Sequence, residues 1–112
     1  MSCVLRICNP AVDQAQSGTT LKPYRAEPGT QHFHVSDAEF DNLNAQIDDA
    51  VSFLERYRVD IQTLMAAPDA YGVLDFAMDT RAVCVQIDHF PASLVRAAGN
   101  LGLALELSSY SV

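Results

Sequence analysis

The forty residues from Tyr71 to Tyr110 restrict the possible folds of this chain more than any other stretch. Leu74, Phe76 and Met78 alternate with Val73, Asp75 and Ala77, and Val83, Val85 and Ile87 alternate with Cys84, Gln86 and Asp88. Side chains that alternate with a period of two belong to strands with one face against a core. The short polar run Asp79-Thr80-Arg81 between them predicts a hairpin, hence two adjacent antiparallel strands. Pro91 at a first helical position, an apolar stripe of Leu94, Val95, Ala98 and Leu101, and Gly99 or Gly102 as a stop predict a helix. Leu103, Leu105 and Leu107, opposed to Ala104, Glu106 and Ser108, predict a closing strand.

The upstream half completes the pattern. Cys3, Leu5 and Ile7 face one way and Val4, Arg6 and Cys8 the other, a strand that Asn9-Pro10 ends. Residues 9–31 are poor in large apolar side chains and broken by Gly18, Pro23, Pro28 and Gly29, which predicts a long loop with the cluster Lys22, Tyr24 and Arg25 inside it. Gln31 to Val35 alternates again, with Phe33 and Val35 toward the core and His32 and His34 away from it. Ser36 with Glu39 three residues on is a capping-box signature for a helix. Phe40, Leu43, Ile47, Ala50, Leu54, Tyr57, Ile61 and Leu64 then form one stripe at spacings of three and four. A helix from Asp37 to Met65 would run about 44 Å at 1.5 Å per residue. That outruns a domain of this size, so it must bend or break near Arg58 to Asp60 or reach a second copy of the chain. Taken in order, the chain is expected to be one α+β domain over residues 1–112: a ferredoxin-like βαββαβ sandwich with an extra N-terminal strand, whose antiparallel sheet carries two helices on one face.

Charge narrows the functions. The net charge is −7 across 112 residues, with fourteen acidic against seven basic side chains. No basic stripe offers itself to a phosphate backbone, so nucleic acid is not an expected partner. No apolar run approaches the roughly 20 residues of a membrane span, and Arg6 interrupts the first apolar segment too early for a secretory signal. A cytoplasmic location is therefore expected, with Cys3, Cys8 and Cys84 as reduced, mostly buried thiols. Half of the acids lie between Asp37 and Asp60, and Asp48, Asp49 and Glu55 give the long helix a negative face suited to a basic partner or a cation.

Two constellations could carry further chemistry. His32 and His34, in HxH spacing on a strand, would present two imidazoles to one side, a start on a divalent-metal site. Asp75, Asp88 and Glu106 share the predicted open sheet face and are candidate third ligands or partner-binding acids, with Gln86 and Ser108 beside them. His89 at a strand-to-helix junction follows Asp88 but has no recognisable nucleophile, and the chain has no nucleophile elbow, phosphate-binding glycine loop, dinucleotide fingerprint or zinc-type Cys/His series. The motifs therefore imply no cofactor. An uncovered sheet face can instead meet a partner or a second copy, and homodimerisation is expected on that ground.

The closing stretch, Phe90-Pro91 through Ala98-Gly99-Asn100-Leu101-Gly102-Leu103 to Glu106-Leu107-Ser108-Ser109-Tyr110, resembles the end of several small uncharacterised bacterial proteins, some of them regarded as immunity proteins against secreted toxins. The resemblance implies an acidic protein that neutralises a basic toxin domain, and it transfers no functional residue. The leading expectation is thus a protein-binding module, with a small metal- or small-molecule-dependent enzyme built on His32 and His34 as the alternative.

Overall fold

The computed structural model describes residues 1–11 and 18–111, so part of the 9–31 loop lies outside the described residues. Among the described residues five strands form one sheet: β1 (Cys3–Cys8), β2 (Arg25–Glu27), β3 (Thr30–Ser36), β4 (Tyr71–Asp79) and β5 (Leu103–Tyr110). Three helices accompany them: α1 (Leu43–Arg56), α2 (Arg58–Leu64) and α3 (Ala92–Asn100). The class is α+β. The sheet order is β2-β3-β1-β4-β5. β1 is antiparallel to both β3 and β4, β2 is antiparallel to β3, and β4 and β5 are parallel. The sheet is therefore mixed, which corrects the antiparallel sheet expected from the sequence.

The difference has one main source. The expected strand from Val83 to Ile87 does not form, and residues 80–91 make an irregular connection. β4 has only two sides, and β1 and β5 occupy both, so a hairpin partner has no place beside it. Thr80 N–H instead donates to Tyr110 O at 2.9 Å, carrying the chain over the end of β5. The N-terminal strand, read from sequence as an extra, takes the centre of the sheet. β3, β4 and β5 run the same way, and the crossovers through α1–α2 and α3 step in one direction across the sheet. Right-handed crossovers that progress in one direction place their helices on one face, and α1 and α3 do lie side by side, with Leu54, Ala97 and Leu101 lining a shared cleft.

The core forms between that face and the helices. Cys3, Leu5, Ile7, Phe33, Leu74, Phe76 and Met78 meet Ile47, Ala50 and Leu54 of α1, Ile61 and Leu64 of α2, and Leu94 and Ala98 of α3. The inward parities read from sequence for β1, β4 and β5 are those observed.

The first helix starts later than expected and is broken. Ser36 caps no helix: it ends β3, where its backbone carbonyl accepts from Ser2 N–H (2.8 Å) and its hydroxyl donates to Asp49 (2.6 Å). The N-cap is Asn42, whose side-chain oxygen accepts from Ala45 N–H at 3.1 Å. Gln46, fully buried, fastens the start of α1 to the sheet by donating to Ala77 O at 2.7 Å. The long stripe breaks at Tyr57, which leaves helical geometry (φ −107°, ψ 21°) and serves as C-cap of α1 and N-cap of α2. α3 ends as expected near Gly102, whose φ of 74° suits only glycine comfortably. Val95, assigned from sequence to the apolar face of α3, is half exposed.

β2 escaped the sequence reading. Pro28-Gly29, with Gly29 at φ 76°, turns β2 into β3 so that Glu27 opposes Thr30. Proline followed by a glycine at positive φ is the pairing a type II turn favours.

Candidate functional site

With every helix on one side, the other side of the sheet carries the outward parity of all five strands. The register aligns Arg25, His32, Arg6, Val73 and Ala104 in one row, and His34, Val4, Asp75 and Glu106 in the next. Arg6 spans β4 to reach Glu106 at 3.5 Å. Its neighbour in register, Val73, is only 1% exposed, as expected where an arginine stem lies across an apolar side chain. Arg6 was legible as an outward residue of β1, but only the pairing of β1 with β4 brings it to the acids.

Asp75 and Glu106 are register neighbours, so the structure brings these two predicted residues together. Burial raises the Asp75 pKa above its ordinary value, and the nearby Glu106 charge adds to the rise, while the Ser108 hydrogen bond (2.8 Å) and Arg6 oppose it. Burial is the largest cause, because desolvation disfavours a carboxylate. Two neighbouring carboxylates sharing one arginine and one hydroxyl form a compact polar patch between β1 and β5.

Gln86 and Asp88 do not lie on this face. Both belong to the 80–91 connection, where Arg81 contacts Asp88 at 3.3 Å and Gln86 donates to Asp88 at 3.1 Å. That contact fastens the loop internally and removes Asp88 from the sheet-face acids.

His32 and His34 share a side of β3 as expected, but each has its own carboxylate. His34 Nε2 lies 3.0 Å from Asp37, and His32 Nε2 lies 3.8 Å from Glu27. His32 is largely covered, and burial, then the Arg25 charge, lowers its pKa, with Glu27 opposing. A histidine held below its ordinary value is neutral at pH 7, so its contact with Glu27 is polar rather than ionic there. Among the described residues no group of three or more His, Cys, Asp or Glu side chains comes together to hold a metal.

The remaining predicted acids lie on α1, and one of them, Asp49, reaches the β3 edge, where it lines a cleft with His34. Asp48, Asp49 and Glu55 are exposed. Asp49 accepts from Ser36, whereas Asp48 and Glu55 have no ion pair among the described residues. The three thiols are free, with Cys3 buried, Cys8 half-buried and Cys84 exposed, so Cys84 departs from the buried setting expected of the set. Burial pushes the Cys3 thiol pKa far up, leaving it protonated. No helix of the described residues is long and apolar enough to cross a membrane.

No family model matches this chain, and no curated protein or solved structure matches it either.

Proposed function

We propose that this protein is a non-enzymatic binding module that meets a basic protein surface through the outer face of α1. The observation that carries the reading is the contrast in how the acids are used. Glu106 and Asp88 each face an arginine, and Asp75 holds a serine hydroxyl, whereas Asp48 and Glu55 are exposed on α1 and form no ion pair among the described residues. Unpaired exposed charge of one sign steers an oppositely charged partner and discriminates against like-charged ones. A basic toxin domain, the partner class implied by the resemblance of the closing stretch, fits this surface. The enzyme alternative draws no support from the histidines, which are separated onto different carboxylates.

Affinity capture on the immobilised chain tests this reading. A basic protein retained at low salt should be released as salt rises, and D48K/E55K should reduce its retention at least tenfold. Retention that is indifferent to salt and to the double substitution, or no retained basic protein, overturns it.

A further inference from the structure

We infer that the free edge of β5, with the flank of α3 above it, is the contact surface for a second copy of this chain, giving a twofold dimer with a continuous ten-stranded sheet. This goes beyond the binding function proposed for α1, which lies on a different surface and stays accessible in such a dimer.

The backbone supplies the first argument. β5 is eight residues long and ends the sheet. Tyr110 O accepts from Thr80 on the β4 side. In a parallel pair, alternate residues bond to the same neighbour, so Leu103, Leu105, Leu107 and Ser109 direct their N–H and C=O groups outward. Edges of this length normally carry a lysine, a proline or a bulge that blocks pairing. The sequence LALELSSY has none of the first two, and its pairing with β4 runs without a register shift.

The side chains supply the second. Leu105 and Leu107 have inward parity yet are only half-buried, because the sheet stops beside them. Ala97 and Asn100 of α3 line the cleft toward α1. Helical spacing therefore places Val95 and Gly99 on the opposite flank, above the β5 edge. Val95 is 50% exposed, and the position a Gly99 Cβ would take has nothing within 4 Å. Together they form an apolar ledge beside an unpaired strand.

Charge selects the occupant. On a chain of net charge −7, a second copy is repelled from most of the surface. The strand and helix of this flank carry only Glu106 and Arg96 as charged side chains, so they balance. An acidic copy can approach here, whereas a basic partner would be drawn to α1. Antiparallel pairing of β5 with itself is also isologous, so one surface satisfies both chains. A register centred on Leu107 sets Glu106 opposite Ser108 of the partner subunit, avoiding two facing glutamates, and places α3 of each copy on the same face. The helix contact is needed as well as the strand, since stable interfaces bury at least about 1,000 Å² in total.

Sedimentation equilibrium of the full chain over a concentration series provides the test. The wild type should weigh twice the 12.2 kDa chain. Val95→Arg places a charge in the ledge, and Ser109→Pro removes an outward N–H at an edge position where proline is tolerated. Each should weaken association at least tenfold with an unchanged circular dichroism spectrum, and D48K/E55K should leave association intact. If one variant fails to fold, the other decides. A wild type that stays monomeric at every concentration, even one that captures a foreign strand, overturns the inference. So does a dimer that both folded edge variants leave unmoved, or one that D48K/E55K dissociates.

Discussion

The two ends of the sheet are built on opposite principles. At one end, β2 has three exposed residues, Arg25, Ala26 and Glu27, with Arg25 and Glu27 paired at 2.6 Å and Pro28 immediately following. Continuing its register would set Pro23, which has no N–H, opposite His34, so pairing cannot extend along β3. Short length, charge and proline are the devices that close an edge to further strands. At the other end, β5 is more than twice as long and carries one charge, which Arg6 already holds. The chain protects one edge and leaves the other able to pair, and that asymmetry is the basis of the self-association proposed for β5.

Core packing should show the largest difference between the two halves. Phe33, fully buried on β3, is expected to cost about 3–5 kcal/mol on replacement by alanine. Leu107, half-buried at the β5 edge, should cost about 2 kcal/mol or less in the dilute protein, and more at high concentration where the dimer covers it. Denaturant titration at two protein concentrations checks both values. Equal, concentration-independent losses would erase the distinction.

Ionisable groups on the open face should sharpen the contrast with a smaller effect of opposite sign in each half. Asp75, on the β5 side, has a folded pKa above its ordinary value, so the folded state binds the proton more tightly than the unfolded chain. Its penalty is absent below about 3.8, grows as pH rises through the folded value and is complete above it. Asp75→Asn should therefore raise the melting temperature at pH 7 and not at pH 3.5. Loss of stability at pH 7 would contradict this assignment.

His32, on the β2 side, has a folded pKa below its ordinary value. Its contribution is full above about 6.5 and falls as pH drops through that value, levelling once the folded group is also protonated. His32→Asn should flatten stability between pH 7 and pH 5, the smallest change of the series. An unaltered slope across that range would remove His32 as its source.

Local pattern carried the parts of this fold that depend on local pattern. The bounds of β4 and the start of β5 follow from alternation alone, and so does the inward set of β1. What alternation could not supply was competition for neighbours. Val83, Val85 and Ile87 are patterned as a strand, but whether a strand forms depends on which flanks of β4 are free, and β1, seventy residues earlier in the chain, takes one of them. Ser36 and Glu39 form a sound capping signature, yet Ser36 is claimed by Ser2 and Asp49, and the cap passes to Asn42. The candidate surfaces divide the same way. The acids of α1 were legible because helical spacing is local. The meeting of Arg6 with Asp75 and Glu106 required strand order, as did the free edge of β5.

Amide hydrogen exchange followed by NMR addresses the central asymmetry most directly. The outward amides of Leu105, Leu107 and Ser109 should be protected, and their protection should grow with protein concentration, while the outward amide of His34 on β3 exchanges at a rate that concentration does not alter. Exchange at Leu105, Leu107 and Ser109 as fast as in the 80–91 connection at every concentration would contradict the account.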